Sequence, residues 1–137
     1  MPVIYKYQKI SDAYTTYLLA EPDYDGLGLE SRITELCTID GVTYVSVPDS
    51  IALPQQPEQI TVEEVELTDE LKAAIKAESP HVQLINDRVV SKIREVYSLN
   101  DEIKMIRLSP SAESTVYGEY VESCREWGRV AKANLGL

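Results

Sequence analysis

The chain has 137 residues, of which 44% are hydrophobic, and this suffices for one ordinary domain or two small units that share an interface. Its formal net charge is −10, and residues 1–71 account for it, with 14 acidic residues against three basic ones. Such an acidic half argues against a nucleic acid or an anionic membrane as the partner, because both attract clustered Lys and Arg.

The first 47 residues are predicted to form a β-rich unit. Apolar and polar side chains alternate over residues 3–10, which is typical of a strand, and residues 13–20 are a second β-rich run. Glycine, proline and aspartate then mark residues 21–30 as a turn-rich loop.

The strongest turn signal in this unit is the dipeptide Asp40-Gly41, which lies between two β-rich runs. Asp-Gly supplies the two positive φ angles that a type I′ hairpin turn requires. The sequence therefore predicts a β-hairpin in which Ile39 faces Val42 and Cys37 faces Tyr44.

Residues 48–67 are predicted to be a proline-rich, acidic strap or linker. Proline cannot donate a hydrogen bond to a sheet and favours extended geometry in the residue before it. Ile51, Leu53 and Ile60 indicate that the strap packs on something rather than extending into solvent. Residues 61–67 could form one more strand or a sheet edge. The prolines of the strap are Pro48, Pro54 and Pro57.

Residues 68–137 are predicted to form a helical unit of three to four helices, which makes the fold class α+β. Thr68 is suited to cap the first helix. Ser79-Pro80 is suited to start the second, with the serine as cap and the proline at the first position. Ser98 with Asp101 resembles a capping box that starts a third.

Two apolar faces of this helical unit are expected to pack together. The second helix carries a regular stripe, formed by Val82, Ile85, Val89, Ile93 and Val96. The final helix, residues 113–134, carries another, formed by Val116, Tyr120, Cys124, Trp127 and Ala131. Because the first stripe needs an apolar cover, the final helix is expected to lie on it. In the short helix between them, Leu99, Ile103 and Ile106 are expected to point inward.

The sequence holds no arrangement typical of a catalytic, cofactor or metal site, so the protein is predicted not to be an enzyme. His81 is the sole histidine and has no obvious nucleophile or acid beside it in sequence. The loop from Asp23 to Gly28 matches a calcium loop only in part, and a turn is the better interpretation. A small enzyme remains an alternative if a pocket forms around His81 or this loop.

Cys37 and Cys124 are lone cysteines, a pattern that fits a reducing compartment, although one bridge between them stays open. The first residues lack the pattern of a signal peptide, and the apolar runs are too short to cross a membrane. Synthesis in the cytoplasm is therefore expected.

The aromatic residues are the candidates for partner binding. The chain has nine tyrosines, one tryptophan and no phenylalanine, and tyrosine is preferred where a ring is buried while its hydroxyl stays wet. Half-exposed strand faces are the alternative explanation for the tyrosines, and closure of the helical core is the alternative for Trp127. The predicted partner-binding residues are Tyr5, Tyr7, Tyr14, Tyr17, Tyr117, Tyr120, Trp127 and Arg129.

Two stretches carry a resemblance to a known class of proteins: HVQLINDRVVSKIREVYSLNDEIKMIRL (81–108) and YGEYVESCREWGRVAKANLGL (117–137). From about Thr68 onward, the chain resembles small proteins of tailed-phage and prophage tail modules. The resemblance implies a tail or baseplate structural protein, or a tail-fibre adaptor, made in the host cytoplasm and located in the virion tail. Its partners would be other tail or fibre proteins, in an oligomer or hetero-complex. A fibre-assembly chaperone, absent from the mature particle, is the alternative.

Overall fold

The structure is a computed structural model that describes residues 2–26, 28 and 32–137. The chain divides into two compact units: unit 1 runs to His81 and also includes Ala133–Leu137, and unit 2 is Val82–Lys132. Helices and antiparallel sheets occupy separate stretches of the chain, which confirms the α+β class. The sequence predicts domain boundaries after residues 47 and 67, and the compact units divide the chain at other positions. Whether residues 68–137 fold on their own stays a prediction.

Unit 1 contains six strands and one helix within its described residues. A four-stranded antiparallel sheet has the order β4-β5-β1-β6, so β4 and β6 are its edges. β2 and β3 form a separate two-stranded ribbon, so the strand predicted over residues 3–10 is divided between the two sheets. The elements are β1 (Val3–Tyr7), β2 (Ile10–Ser11), β3 (Thr16–Tyr17), β4 (Thr34–Ile39), β5 (Val42–Val47), β6 (Glu63–Glu64) and α1 (Asp69–Glu78).

The Asp40-Gly41 hairpin is confirmed. Ile39 pairs with Val42 and Cys37 pairs with Tyr44, and the two turn residues have φ angles of 50° and 79°. An irregularity in the register between Glu35 and Cys37 places Leu36 as an extra residue in β4. Such a bulge bends the strand, and Leu36 is completely buried in the core.

The core of unit 1 has two clusters. The first joins Ile4, Leu36, Cys37 and Ile75, which places one face of α1 in the same core as β1 and β4. Leu135 and Leu137 pack against this cluster, so the last residues of the chain belong to unit 1. The cap predicted for α1 is confirmed, because the Thr68 side chain accepts a hydrogen bond from the Leu71 amide.

The second cluster confirms that the strap packs on the sheet. Ile60 is buried with Tyr7, and Ile51 and Leu53 pack against the same cluster. The Gln56 side chain also fastens the strap, because its Oε1 accepts from the Ala20 amide at 2.8 Å and its Nε2 donates to the Ala20 carbonyl at 3.1 Å. The strap is therefore an ordered part of unit 1.

Unit 2 is helical. Its helices are α2 (Pro80–Val96, which begins at the end of unit 1), α3 (Leu99–Arg107) and α4 (Ala112–Ala133). The capping box of Ser98 and Asp101 at the start of α3 is confirmed. Pro80 occupies the first position of α2 as predicted, but the Ser79 cap is wrong: the Ser79 side chain is fully buried and its Oγ has no hydrogen-bond partner among the described residues.

The final helix lies on α2 as predicted, and its buried face shares Cys124 with the predicted stripe but is turned towards Val121 and Gly128. The buried residues of α4 are Val121, Cys124 and Gly128. A Cβ added at Gly128 would lie 2.7 Å from Cγ2 of Val89, so the missing side chain sets how closely the two helices approach. The expected inward position of Val116 is wrong, since its side chain is 59% exposed.

Candidate interaction surfaces

The largest departure from the sequence-based expectation is the orientation of α3. Leu99, Ile103 and Ile106 were expected to point inward, and that prediction is wrong: their side chains are 61%, 43% and 70% exposed. Their spacing of four and three residues places them on one side of the helix. We call these three residues the α3 apolar face.

The α3 apolar face is exposed because a polar network occupies the inner side of the helix. Nη1 of Arg94 lies 2.5 Å from Oε2 of Glu102, and the Tyr117 hydroxyl donates to Oε1 of the same carboxylate at 2.8 Å. These two donors, Arg94 first, lower the pKa of Glu102. Met105, one turn along, is half-buried. A charged residue therefore takes the inward position that periodicity alone assigned to isoleucine and leucine.

Two of the predicted partner-binding tyrosines already have partners within unit 2. Besides the Tyr117 bond to Glu102, the Tyr120 hydroxyl donates to the Lys92 carbonyl at 2.7 Å. The Tyr97 ring contacts the Tyr117 ring edge-on, with 4.9 Å between the centroids. These half-buried rings hold α2, α3 and α4 together, which is a structural role. That Tyr117 and Tyr120 also bind a partner stays a prediction.

Trp127 and Arg129 are both partly exposed, but they lie on different sides of α4. The indole is 36% exposed, and the Lys92 ammonium lies 4.7 Å from the centroid of its ring, so a cation–π contact covers part of it. Arg129 forms ion pairs with Glu122 and Glu126 on its own helix. Exposed pairs of this kind contribute little to stability, so the guanidinium is available for exchange with a partner's carboxylate.

The four predicted tyrosines of the β-rich unit have different environments. Tyr14 is 98% exposed in the turn between β2 and β3. The Asp12 carboxylate orders this turn by accepting hydrogen bonds from the amides of Tyr14 and Thr15, and these bonds lower the pKa of Asp12. Tyr5 and Tyr17 are half-buried, whereas Tyr7 is buried in the core and offers a partner almost no surface.

A groove of about 630 Å³ follows the outer edge of β4 in unit 1. Residues 32–38 line one side, and Glu78, Pro80 and His81 also line it; we call this pocket the β4 groove. The His81 side chain is exposed and forms no hydrogen bond or ion pair within the described part of the chain. Burial, and then Glu78 and Glu35, raise the pKa of the Cys37 thiol, which keeps it protonated near neutral pH.

The sequence features considered for metal binding are placed only in part. The Asp25 amide donates to the Asp23 carboxylate, which is a local turn contact, while residues 27 and 29–31 of this loop lie outside the described residues. Within the described ranges, no cluster of His, Cys, Asp and Glu side chains has the arrangement of a metal site. Cys37 and Cys124 are both free thiols. None of the helices described is both long and apolar enough to cross a membrane.

Comparison with known proteins gives no match to a protein-family model, a curated protein or a solved structure. Sequence reasoning did not identify the α3 apolar face as a surface, because residue spacing shows that three residues share a side but not which side faces the core.

Proposed function

We propose that the protein is a non-enzymatic component of a phage tail or baseplate, or a tail-fibre adaptor, and that it acts through protein–protein contacts. Its partners would be other tail or fibre proteins, and its place would be the tail of the virion. The tail context rests on the resemblance of residues 81–108 and 117–137 to proteins of phage tail modules.

The α3 apolar face is the observation that supports a contact-based function. Fully burying an aliphatic side chain contributes about 1.5–3 kcal/mol, and Leu99, Ile103 and Ile106 each keep a large part of that area exposed. Together they offer a partner a stabilisation of several kcal/mol, which is the scale of a useful protein–protein contact. Exposed aliphatic groups also suit binding better than catalysis, because they carry no group that could transfer a proton or attack a substrate.

The polar network beneath α3 makes this surface suitable for a structural part. Arg94, Glu102 and Tyr117 fix the inner side of the helix, so its apolar side is held outward before a partner arrives. A surface that is already ordered loses less conformational entropy on binding than a flexible one. A permanent tail component that docks once during assembly would benefit from such a preformed surface.

Quantitative mass spectrometry of purified particles tests this function. We expect the chain in mature particles, at a fixed copy number relative to the major tail proteins. If the chain binds fibre proteins during assembly but is missing from mature particles, the fibre-assembly chaperone is the correct alternative. If it associates with neither, the proposal of a tail function fails.

A further inference from the structure

The edge strand β4 presents backbone groups that a further strand could pair with. In a two-residue hairpin, the residues next to the turn form a hydrogen-bonded pair, and the pairing type then alternates along the ladder. Ile39 and Val42 are that first pair, so Thr38 and Thr43 form a non-hydrogen-bonded pair. Their hydroxyl oxygens lie 2.9 Å apart, consistent with the close side chains of such a pair. The amide and carbonyl of Thr38 therefore point to the free edge of the sheet.

The β4 groove runs along this same edge. Residues 32–38, which include most of β4, line it together with Glu78, Pro80 and His81. An extended chain in the groove would have the backbone of β4 on one side and the end of α1 on the other. Strand addition of this kind obtains affinity from backbone hydrogen bonds and specificity from side-chain contacts.

The net charge of unit 1, which contains the groove, selects the kind of strand. Unit 1 carries 15 acidic and five basic residues, while unit 2 carries eight of each, so unit 1 holds the whole net charge of −10. Within the groove, Glu35 is paired with Lys9 at 2.6 Å. The Arg32 guanidinium lies over the Tyr24 ring at 4.8 Å. Glu78 is exposed and forms no ion pair among the described residues.

We propose that the β4 groove binds an extended, positively charged segment of a partner protein, which adds to the sheet as a strand beside β4. Lysine or arginine side chains of that segment face Glu78, while its backbone pairs with groups such as those of Thr38. A second copy of this chain is disfavoured as the occupant, because the two copies of unit 1, each with a net charge of −10, repel each other. This inference builds on the proposed contact-based function but assigns a different surface, in unit 1, and names the chemistry of its ligand.

Titration of the isotope-labelled full chain with short, blocked peptides tests the proposal. The probe alternates lysine with valine; one control has the same sequence with alternate backbone nitrogens methylated, and another replaces lysine with glutamate. We expect the lysine peptide to shift the amide resonances of residues 34–39 and His81. Both controls should bind at least about tenfold more weakly, because one lacks backbone donors and the other has the wrong charge.

A pair of charge reversals separates local recognition from general attraction. Glu78→Lys lies in the groove, and Glu64→Lys lies on β6 at the opposite edge of the sheet, so both change the net charge of unit 1 equally. Both glutamates are exposed, and a lysine at the end of α1 suits the helix dipole, so both variants should fold. We expect Glu78→Lys to weaken binding about tenfold and Glu64→Lys to weaken it much less.

Four results would overturn the inference. They are equal binding of the methylated peptide, shifts that map away from β4, no shift up to about 1 mM lysine peptide, and concentration-dependent shifts of β4 without peptide. The last result would assign the edge to a second copy. Failure here leaves the α3 apolar face and its incorporation test untouched, so the two proposals fail separately.

Discussion

Replacing Gly128 with alanine should destabilise unit 2, whereas the same replacement at Gly118, in the same helix, should stabilise it. Both glycines lie inside α4 and both replacements improve helix propensity by about 1 kcal/mol. They differ in what the new methyl group meets. At Gly118 the added Cβ meets no atom within 4 Å beyond its chain neighbours and the backbone of its own helix, while at Gly128 the Cβ lies 2.7 Å from Cγ2 of Val89.

The size of the effect follows from that contact. Carbon atoms prefer separations of about 3.5–4.0 Å, so either Val89 or the helix must move. Val89 is β-branched and sits in a helix, where such side chains have essentially one favoured rotamer. Overpacking of this kind costs about 1–3 kcal/mol, which cancels the gain in propensity at Gly128 or exceeds it by up to about 2 kcal/mol. The difference in unfolding free energy between the two alanine variants should therefore be about 1–3 kcal/mol, because the propensity gain is common to both.

Urea unfolding followed by tryptophan fluorescence measures this difference. Trp127 is the sole tryptophan of the chain and lies in α4, so its signal reports on unit 2. The double variant Val89→Ala with Gly128→Ala gives a further check, because removing Cγ2 removes the clash. We expect the double variant to be more stable than the sum of the two single effects predicts.

One outcome would refute the reasoning. If Gly128→Ala stabilises the protein as much as Gly118→Ala does, α4 does not lie against α2 as described. The face of the final helix that holds Gly128 would then be free to dock on a partner instead of on α2.

Three further predictions concern local features. Arg94 and Tyr117 lower the pKa of Glu102, so its contribution to stability is present above the ordinary glutamate pKa of about 4.3 and is lost as the pH falls through the lowered value. The unfolding free energy should thus fall less for Glu102→Gln than for the wild type between about pH 5 and pH 2. Gly41→Ala should lower stability by about 1–2 kcal/mol in thermal unfolding, because the φ angle there is 79°; an unchanged melting temperature would contradict the type I′ turn. Ser98→Ala should lower the stability of unit 2 by about 1 kcal/mol, and a neutral result would show that the capping box is not formed.

Features that depend on neighbouring residues could be predicted from the sequence. The Asp40-Gly41 turn fixed its own hairpin register, since the φ angles it needs are set by those two residues. Thr68 and Ser98 were identified as caps because a cap bonds to an amide three residues later. In each case the deciding contact lies within one turn of chain.

Features that depend on distant residues could not be predicted. Periodicity placed Val116 on the packed side of α4, but the contact line runs through Gly128, where the absence of a side chain matters only because Val89 lies opposite. The outward orientation of α3 similarly depends on Arg94, in another helix, meeting Glu102. The α3 apolar face and the packed side of α4 were therefore missed for the same physical reason: each depends on a contact with a residue in another helix.

The central claim is that the α3 apolar face attaches the protein to a tail partner. Quantitative mass spectrometry of purified particles that carry Ile106→Lys or Val90→Lys tests it directly. Both side chains are aliphatic and exposed in helices of unit 2, but Val90 lies on α2, outside the α3 apolar face. Loss of one buried isoleucine contact corresponds to about tenfold or more in affinity.

We predict that Ile106→Lys lowers the copy number in particles by about tenfold while Val90→Lys leaves it unchanged. Circular dichroism of both variants should match the wild type, which excludes unfolding as the cause. Equal incorporation of Ile106→Lys and the wild type would contradict the claim that this face makes the attachment.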